Sequence, residues 1–381
     1  MAFPAQFEGF SVTSHETAEM AEMTEMAASF ERFARLECEE LPLYRRLTLG
    51  AAEDPEMLKL LAIAPRGQRR PNLILAAVHY LLLDGADDPL ADWYPTVNRG
   101  APQPTVDPYP EFRRFVFEHL EELAPMLASR STQTNEVNRS CLWFAAWRAA
   151  ATDVADMPLA LVEVGASAGL NLLADRYRYD FGDRIERGDR SSEVRLTCEL
   201  RGRVPPLDAP LPRIVARHGI DLDPIDVRDP DALRWLRACV WPEQPDRHAR
   251  LDAAAKTAAS DPPSVIRGDA VDEVADVIEA FPLDAHVVVM NSWTLTYLER
   301  SRREAFVAAL DLIGATRTLT WVSAEHPGCL AVFRDPKPTL EPASRTLVGM
   351  VRWRDGARMV DNAATVHPHL RWMEWRRSSN C

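Results

Sequence analysis

Leu159-Ala160-Leu161-Val162-Glu163-Val164, followed at once by Gly165-Ala166-Ser167-Ala168-Gly169, is the stretch on which the fold turns. Apart from Glu163 the first six residues are apolar without alternation, the pattern of a strand buried on both faces of a parallel sheet. The five small residues predict a tight turn, and residues 170–177 read as a helix. Strand, small-residue turn and helix in that order begin a doubly wound parallel sheet.

Downstream, residues 177–181 predict a second strand ending near Asp180 or Asp183, and 194–200 another, with Arg201-Gly202 as a turn. Residues 203–263 carry many prolines and two helices, at 230–239 and 247–259. A short strand at 264–267 leads into Gly268-Asp269-Ala270 and a helix at 271–279. Residues 286–290 predict a central strand that ends in Asn291-Ser292-Trp293. A helix at 299–312 and a strand at 318–323 follow, stopped by Glu325-His326-Pro327-Gly328. Strands at 346–353 and 358–360 pair through the hairpin turn Asp355-Gly356.

Upstream, the first 150 or so residues read as helical. Met20, Met23, Met26, Phe30 and Phe33 share one helix face, with Glu19, Glu22 and Glu25 on its solvated flank. Asp54-Pro55 starts a second helix, and Pro71-Asn72 a third, apolar all round and stopped by Asp84-Gly85. Residues 91–110 read as a loop, and Pro110-Glu111 starts a helix carrying Phe112, Phe115 and Phe117. A polar stretch, 130–139, then precedes a helix at 142–151.

The chain has 381 residues, 46% of them hydrophobic and 27% charged, which suits a packed globular protein of about two domains. A net charge of −13 disfavours nucleic acid and anionic membranes. The arginine groups Arg66, Arg69, Arg70 and Arg376, Arg377 do not alternate with aromatics and read as solvated surface. Six scattered cysteines give neither a disulfide framework nor a zinc site. His367-x-His369 and Asp221-x-Asp223 lack a third ligand, so no metal is expected. There is no signal peptide and no apolar run of the ~20 residues that span a bilayer, so a cytoplasmic location is expected.

The series Glu163-x-Gly165-x-x-x-Gly169, Asp180 or Asp183, Gly268-Asp269-Ala270 and the strand ending in Asn291 resembles the class I S-adenosylmethionine (SAM)-dependent methyltransferases. The resemblance implies an α/β fold: a Rossmann-like, doubly wound, mostly parallel sheet with a C-terminal antiparallel hairpin, preceded by an all-helical N-terminal domain. Domains are then expected at 1–150 and 151–381, with an insertion at about 190–262. It implies SAM as cofactor, with Gly165, Ala166, Ser167 and Gly169 as the cofactor turn and Glu163 as the acid of its strand. Asp180, with Asp183 next, would take the ribose, and Asp269 with Ala270 the adenine side. Asn291, Ser292 and Trp293 would form the lip facing the reacting methyl group. Ser167 stands where that family has its middle glycine. Residues 130–136, 162–171 and 268–270 also look like a bacterial family known as domain of unknown function 2332, over nearly the whole chain; this second resemblance implies no activity.

On this reading the substrate is a small molecule, and the oligomeric state stays open. Asn291 would hydrogen-bond the acceptor, and Glu136 or His326 would take a proton. Residues 132–139 are either helix caps or a substrate lip with Asn135 and Glu136 as its contacts. Trp241-Pro242-Glu243 reads as an anchored loop, with closure over the adenine as the alternative. Two other classes compete. Gly165-x-Ser167-x-Gly169 fits a hydrolase nucleophile elbow, with His326 as base and Asp284 as its partner, although that fold needs strands where residues before 157 read as helix. A non-catalytic protein that keeps the fold is the other. An NAD site is disfavoured because Ser167 and Leu170 occupy the second and third glycine positions, and a P-loop is excluded because its motif does not occur.

Overall fold

In the computed structural model, which describes residues 12–98, 101–152, 154, 157–334 and 345–376, Leu159–Val164 forms strand β1 with every residue buried. The Glu19 side chain, Arg377 and Cys381 lie outside the described residues. Beyond β1 come β2 (Arg178–Asp180), β3 (Glu186–Gly188), β4 (Arg195–Thr197), β5 (Glu199–Gly202), β6 (Ile214–Asp221) and β7 (Ser264–Arg267). They are followed by β8 (His286–Ser292), β9 (Leu319–Glu325), β10 (Thr346–Arg354), β11 (Ala357–Val366) and β12 (Trp372–Trp375). Nine of them form one sheet in the order β5-β12-β11-β10-β9-β8-β1-β6-β7. Its centre, β7-β6-β1-β8-β9, is parallel throughout, so β1 is hydrogen-bonded on both edges and its apolar run is explained.

Two expectations about this sheet need correction. Residues 178–180 do form a strand, but β2 belongs to a separate three-stranded sheet, β3-β2-β4. The reason is packing: Tyr177, Tyr179 and Phe181 are buried, the Tyr177 hydroxyl donates to Leu170 O, and Tyr179 packs on Phe144 at 4.3 Å. The strand beside β1 is β6, from the proline-rich region. Residues 194–200 divide between the two sheets, β4 in one and β5 in the other. The segment after the small-residue turn is a kinked 3-10 helix, Leu170–Arg176.

The hairpin forms as expected between β10 and β11. Asp355 and Gly356 take φ of +51° and +75°, the two left-handed residues that a tight two-residue hairpin requires. It adds antiparallel strands beside β9, and β12 extends them.

The helices are α1 (Val12–Leu36), α2 (Pro42–Ala52), α3 (Pro55–Leu61), α4 (Pro71–Leu83), α5 (Tyr109–Glu118) and α6 (Leu120–Ser129). Later come α7 (Ser140–Ala151), α8 (Pro230–Ala238), α9 (Pro245–Ser260), α10 (Ala270–Glu279) and α11 (Arg300–Gly314). The chain divides into two compact units. The first comprises residues up to Thr134 together with Arg234–Pro245, and its described residues contain helices and no strand. Asp54 caps α3, accepting from the N–H groups of Glu56 and Met57. Trp241 packs edge-on to Phe33 at 5.8 Å, and Glu243 accepts from the N–H groups of Leu43 and Tyr44, closing the open start of α2. The second unit comprises Asn135–Leu233 and the residues from Asp246 on. It includes α7, tied to the sheet by the Trp147 ring N–H on Met290 Sδ, so the division falls at Thr134 and not at residue 150. No described helix is long and apolar enough to cross a membrane.

Candidate functional site

The strand order reverses at β1: β6 and β7 extend the sheet on one side, β8 and β9 on the other. The C-terminal ends of these parallel strands bring Gly165, Asp221, Gly268, Ser292 and Glu325 to one edge, where open α/β sheets bind ligands. The turn after β1 is bound to β6. Gly165 N–H donates to Ile220 O at 2.8 Å, and Ser167 N–H to Asp221 Oδ2 at 2.7 Å. Asp221 Oδ1 accepts from Asp223 N–H at 2.8 Å, and Asp221 O accepts from Gly268 N–H. Gly165, Ser167 and Gly169 have φ of +73°, +52° and +68°. For Ser167 this conformation is strained, and the charge-assisted bond to Asp221 opposes the strain. A Cβ on Gly165 would stand 2.1 Å from Thr294 Oγ1, and one on Gly169 2.6 Å from the Pro263 ring. Both glycines therefore serve close packing of the protein's own segments.

Across the switch, Asn291 is fully buried. Its Oδ1 accepts from the Trp321 ring N–H at 2.7 Å, and its Nδ2 donates to Ser323 Oγ at 3.0 Å and Glu325 Oε1 at 2.6 Å. Both N–H donors are used within the protein, so Asn291 is a structural brace and not an open lip. Glu325 also accepts from the backbone N–H groups of Thr294, Leu295 and Thr296. Burial raises its pKa, and these four donors oppose the rise.

Glu163 is buried in the middle of this unit, with 3% exposure. Its Oε1 accepts from Asn171 Nδ2 at 3.3 Å, while Oε2 has no hydrogen-bond partner among the described residues. Burial pushes its pKa up to about 8 against the weak help of Asn171, so the carboxyl holds its proton at neutral pH. The hydroxyl of Ser167 is likewise buried without a partner, as are both amide atoms of Asn135.

Glu136 has the opposite surroundings. Its carboxylate is 2.6 Å from Arg247 Nε, 3.2 Å from His369 Nδ1 and 3.7 Å from Arg250 Nη2, and it accepts from Asn138 N–H. Burial alone would raise its pKa, but Arg247, the His369 bond and Arg250 hold it well below the usual carboxylate range. So firmly ionised a group is a poor proton acceptor. His369 is pushed down to about 4 by burial, against the pull of Glu136. Asn138 Nδ2 donates to the carbonyls of Thr197, His369 and Leu370, and Arg139 to those of Pro368 and Ser292. Glu136 thus carries the expected cap, on a 3-10 turn, within a buried polar cluster that includes Asn138 and Arg139.

The remaining expected residues scatter. Asp180 is exposed and caps its own turn through Gly182 N–H, and Asp183 is exposed with φ of +45°. Both stand at the end of β2, outside the sheet that carries the Gly165 turn. Asp269 caps α10 through Val271 N–H and pairs with Arg302 at 2.5 Å, which fixes Ala270 as the first helical residue. Ser292 and Trp293 are half-buried at the end of β8, and the Trp293 ring N–H donates to Thr346 Oγ1. His326 lies edge-on to Trp293 at 6.3 Å. Asp284 precedes β8, at the opposite end of the strands from Ser167 and His326, so the structure assembles no Ser-His-Asp triad from these three. Among the described residues no group of three potential ligands could hold a metal. A groove lined by Thr152, Pro158 and residues 209–213 opens at that far, N-terminal end.

Asp221 was weighed only with Asp223 as a possible metal ligand and Arg139 only within the polar stretch 132–139; Glu325, Arg247 and Arg250 were not foreseen. Asp221 had one sequence signal, the step from Gly219-Ile220 to a carboxylate at a strand end. Arg247 and Arg250, more than a hundred residues beyond that stretch, had none. The family model described as "uncharacterized protein conserved in bacteria (DUF2332)" matches residues 27–375. Comparison with curated proteins gives no match. With a match running from α1 to the last residue of β12, the chain belongs to this bacterial family.

Proposed function

We propose that the second unit is a Rossmann-like domain that binds SAM across the 165–169 turn and transfers its methyl group to a small-molecule acceptor. The observation that carries this reading is the Asp221 carboxylate. It ends the strand next to β1, beside the point where strand order reverses, and is tied to the turn through Ser167 N–H. Asp221 therefore takes the ribose-binding role that the sequence suggested for Asp180. Its oxygens each accept one backbone N–H and keep a lone pair for a diol.

The other residues fit such a ligand. Glu163 is a buried acid with one unsatisfied oxygen, and a cation beside it would favour its ionised form. Asp269 holds the start of α10 and leaves the adenine side to the backbone of Gly268 and Ala270. When bound, SAM supplies an electrophilic methyl group, and the protein aligns the acceptor and excludes water. Ser292 and Trp293 would line the acceptor's side, and His326 would take a proton where the acceptor carries one.

Calorimetric titration with SAM and S-adenosylhomocysteine tests this. Micromolar binding is expected, weakened at least about tenfold in Asp221→Ala, with the thermal midpoint used to confirm that the variant is folded. No binding by the wild-type protein removes the cofactor reading and leaves the non-catalytic one.

A further inference from the structure

Cys141 stands in the first turn of α7, and Cys198, more than fifty residues later, is the joint between β4 and β5. Both belong to the second unit, and both are free thiols, 0% and 2% exposed. The Cys141 thiol lies within hydrogen-bonding reach of the Cys198 thiol. One side chain ties the two segments together. Asn138 Oδ1 accepts from Thr197 N–H at 3.2 Å and from Cys141 Sγ at 3.8 Å, and Asn138 Nδ2 donates to Thr197 O at 2.9 Å. On the other side, Cys198 N–H donates to Asp180 O at 3.0 Å. The backbone around Cys198 is thus pinned against the start of α7, which keeps the two sulfurs side by side.

A buried thiol is ordinarily inert, but Cys198 has a route to solvent. β4 is an edge of the small sheet and β5 an edge of the nine-stranded one, and they are three and four residues long. Thr197 and Glu199, on either side of Cys198, are exposed. A joint between two short edge strands opens at lower cost than the core around it. Cys141, held inside on its helix, is placed to react second.

We infer that Cys141 and Cys198 are a modification site, which hydrogen peroxide oxidises to a disulfide that clasps α7 to the joint between the two sheets. As the joint opens, Cys198 gives its proton to water, and its sulfur attacks one peroxide oxygen. The O–O bond breaks, the leaving hydroxide takes up a proton, and Cys198 becomes a sulfenic acid. When the joint closes, the Cys141 sulfur attacks the sulfenic sulfur. An S–S bond forms, the S–O bond breaks, and the leaving hydroxide carries off the Cys141 proton. Two thiols are oxidised, and one peroxide is reduced to two waters. A small dithiol reverses the change by exchange. The clasp stands without the cofactor reading. It lies one residue from Ser140, which donates to Asn171, the partner of Glu163.

The test is to treat the folded full chain with hydrogen peroxide, block the remaining thiols and map linked peptides by mass spectrometry. A pair linked through Cys141 and Cys198 is expected, with the thermal midpoint raised by about 3 °C or more and returned to its starting value by dithiothreitol. In Cys141→Ala the second sulfur is gone, so peroxide should leave Cys198 as a sulfenic acid that dimedone traps. The wild-type mapping holds as a test even if that variant folds poorly. Oxidation of other cysteines with Cys141 and Cys198 left as thiols would overturn the site. So would a linked pair that forms only in denaturant, or one that leaves the thermal midpoint unchanged.

Discussion

Glu136 and Glu163 belong to the same unit and are almost equally hidden, at 2% and 3% exposure, yet one is ionised and the other keeps its proton at neutral pH. Burial acts on both in the same direction. Glu136 has two guanidiniums and an imidazole against its oxygens, whereas Glu163 has one side-chain amide. Partners, not depth, decide which buried carboxyl carries charge. The ionised one is locked into the fold, and the neutral one is left with an unused oxygen.

Removing the charge at Glu136 should have the largest effect. Glu136→Gln takes the charge of a buried carboxylate away from Arg247 and Arg250 and should destabilise the protein by about 3–5 kcal/mol, measured by denaturant unfolding. A loss below about 1 kcal/mol would mean that the arginines are already compensated, and the contrast would break. Glu325 is an intermediate case, since it is held by four N–H donors and, among the described residues, has no ion pair. Glu325→Gln turns an amide N–H toward backbone N–H groups and should cost about 2 kcal/mol; a thermal midpoint equal to wild type would contradict this.

Glu163→Gln should act with the opposite sign. The folded pKa of about 8 lies above the ordinary 4.5, so the contribution of the protonated carboxyl is complete below pH 4.5 and lost as pH rises through 8. Glutamine escapes that loss. The variant should exceed the wild type by at least about 1 kcal/mol at pH 8, with the gap nearly closed at pH 5. A gap that does not change with pH would show that Glu163 ionises freely.

Much of the sheet was legible because its signals are local. The unbroken apolar runs of β1 and β8, the Asp355-Gly356 turn and the Asp-Pro helix start each declare themselves within a few residues. β6 did not, because Arg217 and His218 interrupt its run. Arg217 is accommodated by a forked pair with Asp175, at 2.7 Å to each oxygen, and a bond to Leu172 O, partners invisible in one dimension. β2 misled for the reverse reason: a three-residue strand states its conformation but not its sheet. At the candidate site the turn and the place of Glu163 on its strand were legible. Asp221 was hidden with its strand, and Asn291 looked like a lip because the sequence does not show that Trp321, Ser323 and Glu325 saturate its amide.

The bond from Ser167 to Asp221 spans 54 residues of chain. Neither the turn after β1 nor its carboxylate is complete until β6 has crossed the intervening small sheet and paired with β1. Contacts so distant along the chain form late and slowly. A nascent chain halted between residues 170 and 210 would therefore hold the glycine turn without the group that fixes it, and the turn would mature only after β6 had left the ribosome.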